Sequence, residues 1–440
     1  MSGSNVVNQS GTYGTQGTAA PSNAPGARSY AVAGTDASGN FWLFGGFGSA
    51  STGTGGDLND LWEYCGGQWV WVSGSALPEQ PGTYGTKGTP SPGNVPGARY
   101  QAVSWMDASG NFWLFGGLGK DSTGTRGDLN DLWKYSNGEW TWMSGSKTAA
   151  QAGIDYPPGV YGTKGVASAS NVPGARVDAN SWTDAAGNLW LFGGEGSNST
   201  GAIAVLNDLW KYTNGEWAWM SGSNMGSQNG VYGTQGTPAP GTVPGGRANA
   251  VTWTDAAGNL WLFGGQGYDS NGCTIAPAGP SELNDLWKYS PTTDTWTWMK
   301  GSKTCDEPGI YGIQGTAAPG NIPGARWGAV GWIDASGNLW LFGGYGFDST
   351  PSPGVFGDLN DLWKYSPTTN TWTWMSGSTK AAQLGMYGTQ GTVAPGNFPG
   401  ARDSAVGWID RSGNLWLFGG GDYLSIAFGG KFNDLWEYQP

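Results

Sequence analysis

Short apolar runs, each cut off by Gly, Asn, Asp or Pro, recur along the whole chain, and nowhere does an apolar face repeat at the spacing of a helix. The run Trp-Leu-Phe-Gly-Gly begins at Trp42, Trp113, Trp190, Trp261, Trp340 and Trp416, and Asn-Asp-Leu-Trp begins at Asn59, Asn130, Asn207, Asn284, Asn360 and Asn433. Six units therefore follow one another at intervals of 71 to 79 residues. In unit 2 the pattern predicts four strands, about Tyr100 to Met106, Phe112 to Phe115, Asp131 to Tyr135 and Glu139 to Met143. Tight turns of the Asp-Ala-Ser-Gly-Asn and Ser-Asn-Gly kind join the first to the second and the third to the fourth, so each unit reads as an antiparallel meander.

Four-stranded meanders repeated six times predict an all-β fold, a six-bladed β-propeller formed as one domain over residues 1–440. Its blades are expected at about 28–72, 99–143, 176–220, 247–299, 326–375 and 402–438. A double glycine closing strand two, Asn-Asp-Leu-Trp-x-Tyr on strand three and Trp-x-Trp on strand four resemble kelch repeats over nearly the whole chain. The resemblance implies that strand one lines the central channel and strand four lies outermost. One fold hosts many activities, so it implies little about function. Unit 6 stops at Asn433-Asp-Leu-Trp-Glu-Tyr-Gln-Pro440 with no Trp-x-Trp run, whereas Met1-Ser-Gly-Ser repeats the residues that follow that run at Met143. The sixth blade is expected to lack its outer strand, leaving an edge open to self-association.

Composition narrows the chemistry. The chain has no histidine, which removes Ser-His and Cys-His nucleophile pairs and His-ligated metals. A formal net charge of −12 makes nucleic acid an unsuitable partner, and no apolar run is long enough for membrane insertion. No cofactor and no metal is expected. Asp121, Asp269 and Asp348 stand beside Ser, Thr or Asn but lack the spacing of a calcium loop.

Positions identical in every unit read as architecture, and positions that differ read as free for function. Of 28 tryptophans, only Trp327 falls outside a repeated position, so the others are expected to pack between blades. Arg28, Arg99, Arg176, Arg247, Arg326 and Arg402 recur in step with Asp60, Asp131, Asp208, Asp285, Asp361 and Asp434, which suggests buried structural pairs. The connections between strands two and three, about 12 residues in most units, and the longer links between units lie on one face. Two variable sets converge there, one after the repeated arginine and one after the double glycine. They make Tyr30, Tyr100, Gln101, Asp178, Glu195, Asn249, Gln266, Trp327, Tyr345 and Asp403 the candidate ligand-binding residues. Aromatics interleaved with amides and carboxylates suit a sugar or a peptide.

No catalytic residue is assigned, although Asp178, Glu195 and Asp403 would be the carboxylates to consider in a glycoside hydrolase. Cys273 and Cys305 fall on the same face of unit 4 and are candidates for a disulfide, while Cys65 lies on the other face. The expectation is a non-enzymatic extracellular or cell-surface module that binds a carbohydrate or protein ligand through its long-loop face. The alternatives are a self-assembling or engineered scaffold and, further off, a hydrolase or lyase.

Overall fold

The computed structural model describes residues 3–150, 157–273, 281–351, 354–422 and 430–440. All regular structure among them is β-strand, arranged as repeated antiparallel sheets. Unit 2 shows the pattern. A two-residue strand Arg99–Tyr100 and the strand Val103–Met106 both pair with Phe112–Lys120, which pairs with Arg126–Ser136, which pairs with Glu139–Ser144. Units 1, 3 and 5 repeat this order; units 4 and 6 split it into two smaller sheets.

The second and third strands are far longer than the apolar pattern predicts, nine and eleven residues in unit 2. What reads as a loop of about twelve residues is mostly ladder, closed by the short turn 121–125. The double glycine is the reason. Gly116 and Gly117 adopt φ of 66° and 92°, the register shifts between Phe115 and Gly117, and pairing resumes with Gly117 opposite Leu129 and continues as Leu118 opposite Asp128. A Cβ on Gly117 would stand 2.7 Å from the Tyr100 carbonyl oxygen, so only glycine lets the sheet kink and continue.

Alternation along the strands buries one indole after another between units. Trp133 and Trp140 are fully buried, and Trp140 packs edge-on against Phe44 of unit 1 at 5.5 Å. The same contact recurs as Trp217 on Phe115, Trp296 on Phe192, Trp372 on Phe263 and Trp69 on Phe418. The last of these joins unit 1 to unit 6. The core is thus a series of clusters, each shared by adjacent units. Each indole withdraws about 150–250 Å² from water, worth about 4 to 6 kcal/mol of transfer free energy before ordering costs.

Each unit is also pinned by a polar knot. Arg99 Nη1 and Nη2 reach both carboxylate oxygens of Asp131 at 2.6 and 2.8 Å, and its Nε and Nη1 donate to the Gly97 and Gly116 carbonyls. Asp131 Oδ2 also accepts from the Tyr84 hydroxyl and the Trp133 indole, both at 2.6 Å. All six repeated arginines hold the corresponding aspartate this way. The tyrosine comes from the Tyr-Gly-Thr-type segment of the long link between units, so the knot ties that link to the sheet.

Candidate functional site

In every unit a two-residue break separates the short segment at the repeated arginine from the strand that follows it, and the first residue of each break is distinctive. These residues, Tyr30, Gln101, Asp178, Asn249, Gly328 and Ser404, all have left-handed backbones with φ between 51° and 64°. The turn aims each N–H at the carbonyl of its counterpart in the preceding unit. Gln101 donates to Tyr30 (3.2 Å), Asp178 to Gln101 (2.9 Å), Asn249 to Asp178 (2.9 Å), Gly328 to Asn249 (3.0 Å), Ser404 to Gly328 (2.8 Å) and Tyr30 to Ser404 (3.1 Å). The cycle returns to its start. Five of the six are not glycine, and each non-glycine residue in this region is strained by about 1 kcal/mol. Strain held at the same point in five of the six units, around a common ring, marks a place where side-chain position matters.

Above this ring lies a small depression of about 140 Å³, bounded by the same six residues and the alanines that follow them. Its polar side chains are already organised. Gln101 Nε2 donates to Asp178 Oδ2 at 2.6 Å, and Asn249 hydrogen-bonds the same carboxyl. Burial drives the Asp178 carboxyl well above the usual carboxylate range; the bonds from Asn249 and Gln101 oppose the rise, while Glu195 and Asp403 add to it.

Around the ring, each unit sets side by side three residues on adjacent strands. In unit 1 they are Ser29, Phe47 and Asp57; in unit 2 Tyr100, Leu118 and Asp128; in unit 3 Val177, Glu195 and Val205. Units 4 and 5 supply Ala248, Gln266 and Glu282, then Trp327, Tyr345 and Asp358; unit 6 supplies Asp403, Gly421 and Lys431. Two aromatic walls result. Tyr100 lies 6.0 Å from Tyr30 and 5.6 Å from Phe47, and the Arg126 guanidinium sits over its ring at 5.4 Å. Trp327 lies 5.4 Å from Tyr345, which meets Phe356 at 4.4 Å.

The ten residues singled out in the sequence thus fall on one face: Tyr30, Gln101, Asp178 and Asn249 on the ring, and Tyr100, Glu195, Gln266, Trp327, Tyr345 and Asp403 in the rows beside it. Burial raises the Asp403 carboxyl and the Asp422 charge adds to the rise, while hydrogen bonds with Ser404 and with the Asp358 carboxyl, and the Lys431 charge, oppose it.

Sequence reasoning missed the third member of each row. Asp57 is fully buried and held by Arg126 Nε at 2.8 Å. Asp128 is pushed up to about 6 by burial and by Glu195, with Arg126 opposing. Glu282 bonds Gln266 and is raised by burial and by Asp306. A usable signal was present: the residue before Leu-Asn-Asp or Phe-Asn-Asp reads Asp, Asp, Val, Glu, Asp and Lys through the six units, a position as variable as those that were picked.

Among the described residues one cluster has metal-ligand types, Asp269, Cys273 and Cys305, with ligand atoms within 4.8 Å of one another. The Asp269 oxygens are already engaged by the N–H groups of Asn271, Cys273 and Cys305. Asp121 holds the equivalent turn through the N–H groups of Thr123, Thr125 and Ala149, and Asp348 through those of Thr350 and Ala381. Neither has cysteines beside it, so the aspartate explains itself as a turn clasp. Cys273 and Cys305, the candidates for a disulfide, are neighbouring free thiols not joined to each other, and Cys65, distant from both in the chain, is free as well.

No family model matches the chain, and no curated protein does either. The solved structure of YjhT covers 94% of this chain and 95% of its own length at a TM-score of 0.52 and 14% identity. At that identity the likeness speaks to the fold alone.

Proposed function

We propose that the chain is a closed six-bladed propeller of the kelch type, working as a non-enzymatic binding module outside the cell whose ligand is a carbohydrate held at the ring depression. The observation that carries this reading is the six-membered ring itself. It fixes amide and carboxyl groups rigidly around an axis, with an aromatic wall at Tyr30, Tyr100 and Phe47 and another at Trp327 and Tyr345. Sugar rings take hydrogen bonds at their edges and stack their C–H faces on aromatics, and groups already held in place lose little entropy on binding. The surrounding carboxyls and the net charge of −12 favour neutral or amino sugars over acidic ones. Placement outside the cell is supported by the adjacent thiols of Cys273 and Cys305, which stand where an oxidising compartment would link them.

A glycan array followed by calorimetry tests the proposal. Hits confined to neutral or amino sugars, weakened at least about tenfold by Gln101→Ala or Trp327→Ala with the melting temperature unchanged, are expected. A blank array, or hits untouched by both substitutions, overturns it. Sugar cleavage in the same assay would replace binding by catalysis.

A further inference from the structure

The turn between the second and third strands is clasped in a similar way in units 2 to 5. In unit 2, Asp121 Oδ1 accepts the N–H groups two and four residues on, those of Thr123 and Thr125, and Oδ2 accepts that of Ala149, from the link that leaves the unit. Asn198 takes the first two of these bonds in unit 3, from Thr200 and Ala202, and Asp348 the first and third in unit 5, from Thr350 and Ala381. In unit 4 Asp269 takes all three, from Asn271, Cys273 and Cys305, at 2.6, 3.0 and 3.2 Å. The clasp accounts for the aspartate. It does not account for cysteine at both of the positions drawn together, where unit 2 has Thr125 and Ala149. We propose that Cys273, Cys305 and Asp269 form a binding site for a divalent cation of the zinc type.

The side chains converge as the backbone does. One ligand atom from each residue, two Sγ and a carboxylate oxygen, lie within 4.8 Å of one another. A tetrahedral zinc ion, bonded at about 2.3 Å to sulfur and about 2.0 to 2.2 Å to oxygen, sets its ligand atoms about 3.5 to 3.8 Å apart, so closing the site asks for a movement of about 1 Å. The carboxylate is oriented in advance, because the N–H groups that grip it act as outer-shell partners do around a metal ligand. Its Oδ2, the oxygen on the Cys305 side, carries the longest of the three bonds and has a lone pair to give. Cys273 is 1% exposed and Cys305 is half-buried. An ion would therefore enter from the Cys305 side and keep a water there as its fourth ligand.

Sulfur decides which cation fits. Thiolates are soft ligands that select zinc over calcium and magnesium, whose shells are built from oxygen. With no histidine in the chain, thiolate is the soft ligand left for zinc, and two of the three cysteines stand here. Binding is an exchange of protons for metal: the ion replaces the Sγ–H proton of each cysteine, both protons leave to solvent, and no electron moves. Oxidation to a disulfide would consume the same two sulfurs, so the metal-bound and disulfide forms are alternative states of one pair. The position of the site gives it a structural consequence. Asp306, next after Cys305, accepts the Glu282 N–H at 3.1 Å, and Glu282 pairs with Gln266. A metal fixed at Cys305 would brace the side of the ring face on which Gln266 stands, without touching the depression itself.

Reduced, metal-free protein titrated with zinc against a chromophoric chelator should take up one ion per chain, and cobalt(II) in its place should give a thiolate-to-cobalt charge-transfer band. Cys273→Thr and Cys305→Ala, which copy the residues that unit 2 carries in the same clasp, should each weaken zinc binding at least about a hundredfold and remove that band. Asn198 shows that asparagine can hold this turn, so Asp269→Asn should keep the fold and the band while weakening zinc about tenfold. Cys65→Ser and Trp327→Ala should leave the affinity unchanged. Zinc bound beforehand should slow coupling of the pair by glutathione disulfide at least about tenfold, which sets a metal site apart from two thiols that only oxidise. Failure of the reduced protein to take up zinc at micromolar concentration would overturn the proposal. So would uptake that survives either substitution at Cys273 or Cys305, or a cobalt complex without the charge-transfer band.

Discussion

Replacing Arg99 by alanine is the sharpest test of what holds each unit together. The guanidinium and the Asp131 carboxylate are both closed to solvent, with side-chain exposures of 0%. Removing the arginine leaves that carboxylate with only the Tyr84 hydroxyl and the Trp133 indole, and strips the Gly97 and Gly116 carbonyls of their donor. Breaking one side of such a pair costs about 3 to 5 kcal/mol, because a charge stays buried without its counter-ion. Lys120 and Glu79 provide the control: they meet at 3.0 Å with side chains 19% and 41% exposed, and a pair open to water contributes about 0 to 1 kcal/mol. Urea unfolding followed by tryptophan fluorescence should therefore separate Arg99→Ala from Lys120→Ala by about 3 kcal/mol. The double variant Arg99→Met with Asp131→Leu, which buries no charge, should recover much of the loss. An Arg99→Ala variant within 1 kcal/mol of the parent would refute the reasoning.

Three further outcomes follow from particular residues. Asp128, pushed up to about 6 by burial and Glu195, holds more protons folded than unfolded between that value and the ordinary 3.8, so it destabilises the fold progressively as pH rises through this window. Asp128→Asn should accordingly gain about 1 to 2 kcal/mol over the parent between pH 4 and pH 7, the partial access of solvent having been allowed for; an identical melting difference at both ends would exclude it. Gly117→Ala should lower the melting temperature more than Gly138→Ala, since both have positive φ but a Cβ at Gly138 meets nothing within 4 Å; equal effects would remove the steric part of the argument. Cys273 and Cys305 should couple under glutathione disulfide, seen as the loss of two hydrogens in the intact mass. Because burial raises the Cys305 thiol to about 11, the reaction should quicken as pH is raised, and a mixed disulfide at either residue without closure would count against their adjacency.

Repetition made much of the architecture legible in the chain alone. Trp-Leu-Phe, Asp-Leu-Trp and Trp-x-Trp alternate at the period of a strand, and a strand that shows one face to its neighbour must bury that face; the meander, the absence of helix among the described residues and the buried indoles follow from this local pattern. Strand length did not follow, since residues such as Gly119 and Gly127 have little strand propensity and join the ladder only because the bulge at Gly116 and Gly117 carries the pairing past them. The ring of left-handed residues is still further from the sequence. Nothing in Tyr30, Gln101 or Asp178 announces a positive φ, because that conformation is unfavourable to each alone and is held by a bond to the residue one unit away. The same distance dependence hid Asp128 and Glu282, whose carboxyls are shifted by burial and by Glu195 or Asp306, residues that only the packed sheets bring near. Side-chain alternation is a property of neighbours along the chain; charge, strain and shape at the ring of backbone bonds belong to residues about seventy positions apart, and these meet only once the units have assembled.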